Sequence, residues 1–289
     1  MFVATLIAKP GRLDHALVTS IRDAWGGKEA LWLAADEAAE FELEQMPSNR
    51  WDIWQSCQDM GVDLVVQPIE GRRKSMLLAD MDSTMIEQEC IDELADYVGV
   101  GEHVKAITAR AMNGELDFEE ALIERVALLK GKPAGIIDAV LAERITFMPG
   151  GAALLATMKA NGAYAALVSG GFTAFTAKVG TELGFDENHA NTLIVEDATI
   201  TGEVGRPILG RDAKVTALTE ITERLGITAQ DVIAVGDGAN DLGMLHAVGT
   251  GVAAHAKPAV AAEVDTRINH GDLTALLYIQ GYTKSDFAI

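Results

Sequence analysis

Apolar and polar positions change rhythm three times along the 289 residues. Over the first 67 residues, short apolar runs alternate with amphipathic stretches. Strands are expected at 2–8, near 30–34 and at 62–67, with helices at 13–25 and from about 49 to 60. Pro68-Ile69-Glu70-Gly71-Arg72-Arg73 interrupts the pattern and sets a domain boundary after residue 72. The apolar run Leu77-Leu78-Ala79 follows and stops abruptly at Asp80-Met81-Asp82-Ser83-Thr84. Apolar residues then recur at helical spacing in 86–98, 103–112, 117–129 and 134–143, separated by Asn113-Gly114 and Gly131-Lys132-Pro133. From Met148 strand and helix alternate: strands at 163–168, 232–235 and 251–254, helices at 172–183, 213–225 and 240–248, and a hairpin made of 192–195 with 200–204.

This order predicts an α/β protein in two parts. Residues 1–72 have the element order of a small ferredoxin-like (ACT-like) α/β unit and show no catalytic constellation. Residues 73–289 predict a doubly wound, mainly parallel sheet with a helical cap insert at about 88–147. Ligands of such sheets gather at the carboxyl ends of the strands. A net charge of −20 argues against nucleic acid, which needs clustered Lys and Arg. The same acidity would repel an anionic substrate, so a phosphate site has to bring its own positive charge. No apolar run of about 18 residues suggests a membrane span. The short apolar start lacks the features of a secretory signal. Two cysteines 33 positions apart, Cys57 and Cys90, suggest neither a disulfide nor a zinc site, which fits a cytoplasmic protein.

Four polar signals interrupt the second part: Asp80-Met81-Asp82-Ser83-Thr84, Ser169-Gly170-Gly171, Lys214, and Gly236-Asp237-Gly238-Ala239-Asn240-Asp241. Singly, each has a bland explanation as turn chemistry, a strand exit or a surface lysine; together they are expected to converge at strand ends. A calcium loop starting at Asp80 would need Gly and Glu where Met85 and Ile91 stand. Mg²⁺, which needs only a few carboxylates and keeps room for water and a phosphate oxygen, suits the acids better. In the insert, Arg125 follows Phe118, Ala121 and Leu122 by seven, four and three residues, which sets it on the apolar stripe. A structural ion pair or a snorkelling side chain would account for that position as well as a ligand contact. Glu89, beside Glu87 and Asp92, reads by pattern as an exposed helix acid, and Met112 and Phe118 as ordinary packing.

The four signals resemble, in order and spacing, the motifs of the haloacid dehalogenase superfamily of phosphatases. Within it, residues 74–284 resemble the phosphoserine phosphatases, in particular the bacterial kind with an N-terminal extension. The resemblance implies Mg²⁺-dependent hydrolysis of O-phospho-L-serine through an aspartyl-phosphate, the last step of serine synthesis. It assigns Asp80 as nucleophile and metal ligand, and Asp82 as acid-base whose main-chain carbonyl meets the metal. Asp237 is a further ligand, with Asp241 behind it. It gives the phosphate to Lys214, Ser169, the Gly170 amide and Asn240, the substrate carboxylate to Arg125 and its ammonium to Glu89, and cap closure to Met112 and Phe118. Another small amino-acid-like phosphomonoester, transfer to an acceptor alcohol, or a regulatory protein with a vestigial site are the alternatives. The expected partner is a small molecule, and a homodimer through the N-terminal unit is left open.

Overall fold

The computed structural model describes the chain apart from Asn113, Gly114, Ile289 and the side chain of Met112. The N-terminal unit runs β1 (Phe2–Ala8), α1 (His15–Trp25), β2 (Leu31–Ala34), β3 (Ala38–Leu43), α2 (Arg50–Asp59) and β4 (Val62–Pro68). Its antiparallel sheet has the order β2-β3-β1-β4, the ferredoxin-like arrangement. β3 is a strand that the sequence pattern did not reveal. It reads Ala-Ala-Glu-Phe-Glu-Leu, a helix-favouring composition, and full pairing with β1 overrides that propensity. Side chains alternate along β1: Ala4, Leu6 and Ala8 pack with Val18, Ile21 and Cys57 of the two helices. Ile7 and, on β4, Val65 join the core of the rest of the chain instead.

The second part begins with β5 (Met76–Ala79) and leaves at once into α3 (Cys90–Tyr97), α4 (Gly101–Met112), α5 (Phe118–Ala127) and α6 (Ile136–Glu143). It continues with α7 (Gly151–Ala160), β6 (Tyr164–Phe172), α8 (Thr173–Leu183), β7 (Glu187–Asn191), the hairpin β8 (Leu193–Glu196) and β9 (Thr199–Val204), and α9 (Arg211–Leu225). β10 (Val232–Gly236), α10 (Leu242–Ala247), β11 (Thr250–Ala254), α11 (Pro258–Ala261), β12 (Thr266–Ile268) and α12 (Ala275–Ile279) complete it. The parallel sheet has the order β12-β11-β10-β5-β6-β7. The chain thus winds outward from β5 in one direction and resumes at β10 in the other, so β5 lies at the switch point.

Burial on both faces explains why these strands read as unbroken apolar runs. Leu77 and Ala79 of β5, with Leu167 and Val235 beside them, face α3, α5 and α7. Met76 and Leu78, with Val168 and Ala234, face α9 and α10. The unforeseen α7 is apolar nearly all round, Gly-Ala-Ala-Leu-Leu-Ala-Thr-Met-Lys-Ala, so no amphipathic stripe marks it, and Leu154, Leu155 and Met158 are buried. The unforeseen strands β7 and β12 are short edge strands with polar residues.

The insert leaves and returns through paired segments: Ile86 bridges Phe147, the Glu87 amide donates to the Thr146 carbonyl and the Met148 amide to Met85. The N-terminal unit is fastened by polar contacts as well. Asp63 of β4, fully buried, accepts the amides of Asn269, His270 and Gly271 at 2.8, 3.0 and 2.8 Å. Buried Glu37 accepts from the Tyr278 hydroxyl and from Lys284, and Arg72 forks onto Glu40. Among the described residues no helix is long and apolar enough to cross a membrane.

Candidate active site

The turn after β5 is built by one carbonyl. Met81, fully buried, accepts the amides of Thr84, Met85 and Ile86, which winds the chain into a single helical turn. The Asp80 amide donates to the Val235 carbonyl of β10 at 3.0 Å, anchoring the turn to the next strand. Ser83 sits in the left-handed region, φ 54°, a conformation that costs about 1 kcal/mol for a residue with a side chain. It is held there by its amide on the Gln88 carbonyl and its hydroxyl on Glu89 Oε1 at 2.8 Å.

Behind Asp80 lies a buried cluster. Lys214 Nζ stands 2.6 Å from Asp80 Oδ1 and 2.5 Å from Asp241 Oδ1. Asp241 Oδ2 accepts the amides of Asp237 and Gly238 at 3.1 and 2.9 Å, so both its oxygens are engaged. Gly236 makes this approach possible, because a Cβ there would lie 2.4 Å from the Asp241 Cγ. Burial works against the Lys214 charge, but Asp80 and Asp241 outweigh it and hold the lysine protonated. Burial, reinforced by Asp241 and opposed by Lys214, pushes the Asp80 carboxyl well above the ordinary range. Burial likewise pushes Asp237 up to about 6, against the pull of Lys257.

Carboxylate oxygens of Asp80, Asp237 and Asp241 lie within 4.8 Å of one another. An all-oxygen set of this size fits a hard divalent cation. Asp80 and Asp237 are the carboxylates with oxygens to offer, since Asp241 already has its partners.

In front of the cluster opens a cavity of about 160 Å³. Its floor is formed by Asp80, Asp82, Ser169, Gly170, Asp237 and Asn240, and its roof by Glu89, Phe118 and Arg125 of the helical insert. Asp82 Oδ1 accepts the Cys90 amide at 2.9 Å, in the first turn of α3, and Oδ2 accepts the Ser169 hydroxyl at 3.0 Å. Ser169 Oγ in turn accepts the Gly171 amide at 2.8 Å. Burial, then the nearby Glu89, raises the Asp82 carboxyl above its usual range. Glu89 stands at the N-cap position of α3, with no capping bond from its side chain, and is half-buried, not an exposed helix acid. Arg125 donates Nε–H to the Ala121 carbonyl at 3.1 Å and, among the described residues, forms no ion pair. Burial lowers its proton affinity while Asp92, Glu89 and Asp82 support its charge. Phe118 leads α5 behind the Asp117 capping box and lays its ring over Gly170, where a Cβ would stand 2.9 Å from Cζ.

Two expectations need correction. Not every signal falls at a strand end: Lys214 lies in the first turn of α9, and its long side chain carries the ammonium to the sheet edge. There it sits behind Asp80 and does not line the cavity. Ser169 and Gly170 are also still within β6, whose register shifts after Val168, and α8 starts only at Thr173. The Met112 side chain lies outside the described residues. Sequence reasoning missed Lys257, which lines the cavity with its Nζ 3.8 Å from Asp237 Oδ2. Its one signal was a polar residue and a proline, Lys257-Pro258, just past β11.

Residues 77–246 match the haloacid dehalogenase-like hydrolase family, a span that includes every acid of the cluster. The phosphoserine phosphatase of Haemophilus influenzae is 44% identical over 228 residues, which are 78% of this chain and 72% of that one. Those of Streptomyces coelicolor and Archaeoglobus fulgidus are each 40% identical, and the chain spans 56% and 64% of their lengths. Among solved structures, a HAD family hydrolase from Salmonella enterica serovar Typhi is similar along the whole chain. Its TM-score is 0.88 at 29% identity, covering 97% of this chain and 99% of that one. A phospho-aspartyl intermediate analogue of phosphoserine phosphatase gives 0.67 at 40% identity, covering 71% and 98%. The chain belongs to the haloacid dehalogenase-like hydrolases and, within them, to the phosphoserine phosphatase family.

Proposed function

We propose that this protein hydrolyses O-phospho-L-serine to L-serine and inorganic phosphate. The observation that carries the reading is the opposition of two sets of groups across one small cavity. A carboxylate pair lies on the floor at the β5 end, and the Arg125 guanidinium and the Glu89 carboxylate face it from the roof. Phosphate on the floor would leave the amino-acid head group between Arg125 and Glu89, where a planar guanidinium suits a carboxylate and Glu89 an ammonium.

Asp80 attacks phosphorus in line, and its new O–P bond replaces the bond from phosphorus to the serine oxygen. Asp82, whose raised proton affinity suits a general acid, gives its proton to that oxygen as it leaves. As a carboxylate, it then takes a proton from the water that attacks the aspartyl-phosphate, and phosphate departs with Asp80 restored. Lys214 steadies the Asp80 carboxylate from behind. The Gly170 amide and Asn240 are within the floor that receives the phosphoryl oxygens, and Ser169 joins them once its hydroxyl turns from Asp82. Phe118 excludes water from above. Mg²⁺ would be held by Asp80, Asp237 and the Asp82 carbonyl, with Asp241 behind. When bound, it supplies positive charge between an anionic nucleophile and an anionic phosphoryl group.

The test is phosphate release from phosphoserine with and without Mg²⁺. Release that depends on the ion and strongly prefers phosphoserine over phosphothreonine is expected. Comparable rates on both would mean a broader phosphomonoesterase, and no release from either would end the proposal.

A further inference from the structure

The cavity is lined by four carboxylates, Asp80, Asp82, Glu89 and Asp237, against two cations, Arg125 and Lys257. A chain of net charge −20 repels an approaching phosphate dianion at long range. Lys214 does little to relieve that, because its side chain is only 3% exposed and its ammonium is already shared by Asp80 and Asp241. Arg125 stands in the roof, on the side of the head group.

Lys257 differs from both. Its side chain is 56% exposed, whereas that of Asp237 beside it is 9% exposed. Its backbone is fixed, since its amide donates to the Asp237 carbonyl at 3.2 Å and its carbonyl accepts the amides of Val260 and Ala261. The ammonium itself is loosely held, since 3.8 Å from Asp237 Oδ2 is beyond hydrogen-bond length. A tethered cation thus stands at the mouth, next to the acid that faces the phosphoryl position, with freedom to change partners.

Resting on the phosphatase reading above, we propose that Lys257 is a phosphate-binding residue of the cavity mouth, which receives the substrate phosphate on entry and holds inorganic phosphate on exit. It leaves Asp237 for the incoming dianion and returns when the product departs. Lys214 and Lys257 then divide the work, one fixing the nucleophile and the other handling the anion in transit.

The variants are Lys257→Gln, which removes the charge, and Lys257→Arg, which keeps it. In the full chain with Mg²⁺, Lys257→Gln is expected to lose about tenfold in kcat/KM for phosphoserine at low salt, with most of the loss in KM, and the gap to close as salt rises. The inhibition constant of inorganic phosphate should rise by about the same factor, and Lys257→Arg should restore most of both. Mg²⁺ and phosphate binding, each measured by calorimetry, separate the alternatives. If Lys257→Gln binds Mg²⁺ more tightly but is inhibited by phosphate like the wild type, Lys257 serves only to neutralise Asp237 and the proposal is overturned. Unchanged kcat/KM across the salt series overturns it as well. If the wild type does not hydrolyse phosphoserine, the reaction reading falls, and calorimetric phosphate binding by wild type against Lys257→Gln still decides the role of Lys257.

Discussion

Replacing Asp80 by Asn should abolish turnover and, in the absence of metal, make the protein more stable. The sign follows from the charges around the residue. Asp237 and Asp241 each bring a carboxylate oxygen to within 4.8 Å of Asp80, a repulsion of at least about 3.5 kcal/mol apiece at an effective dielectric of about 20. Lys214 at 2.6 Å returns about 6 kcal/mol on the same scale. Attraction does not exceed repulsion, so the desolvation of a carboxylate that is 5% exposed is left without compensation. An amide of the same shape, its oxygen turned to Lys214, escapes most of that cost, and a net gain of about 2 kcal/mol is expected. For a chain of this size that is a rise in Tm of roughly 4 °C, read by thermal melting in EDTA. Because the folded state holds the Asp80 proton above the ordinary carboxylate range, the wild type loses stability as pH climbs from that range through the raised value. The Asp80→Asn variant has no such loss, so the gap in Tm should widen from acidic to neutral pH. Adding Mg²⁺ should reverse the order, raising the Tm of the wild type more than that of the variant. A lower Tm for Asp80→Asn in EDTA would mean that pairing with Lys214 outweighs desolvation, and residual turnover would remove Asp80 as nucleophile.

Further expectations bear on the roof and on the junction. Arg125→Ala and Glu89→Gln should raise KM for phosphoserine by about tenfold or more and barely change p-nitrophenyl phosphate hydrolysis, since each loses a charged contact that only the amino-acid substrate makes. Equal losses on the two substrates would make both residues structural. Gly170→Ala drives a methyl into the Phe118 ring and should cost about tenfold or more in kcat/KM with little change in Tm. The loss should shrink in the double variant with Phe118→Ala, and strict additivity would refute a steric origin. Asp63→Ala strands three amides, that of Gly271 buried and those of Asn269 and His270 part-buried, and should lower stability by about 3 kcal/mol in denaturant titration; a change under about 1 kcal/mol would contradict that account.

What was readable in the sequence was what is settled by neighbours along the chain. Asp80 and Asp82 announce themselves because a run with both faces buried has to stop where charges begin, and Gly236 to Asp241 does the same at the end of β10. The parallel sheet was legible for the same reason. β3 and α7 were not, because their composition is indifferent to their conformation and packing alone selects it. Side-chain reach was the other blind spot. A lysine's ammonium lies several bonds from its backbone, so no spacing rule could tell that Lys214 ends behind the nucleophile while Lys257, 43 positions later, ends in front of Asp237. Arg125 was placed on an apolar stripe by periodicity, but only the fold shows that this stripe ends over the cavity, within reach of the fields of Asp92, Glu89 and Asp82.

Asp63 gives the two-part chain a property that neither part has alone. To peel the N-terminal sheet away from the phosphatase fold, the protein would have to break three hydrogen bonds to one buried carboxylate together, before water can enter to replace them. Partial opening at this seam is therefore steeply uphill from its first step. The two halves should melt in one transition, and amide hydrogens at 269–271 should exchange only when the whole molecule unfolds.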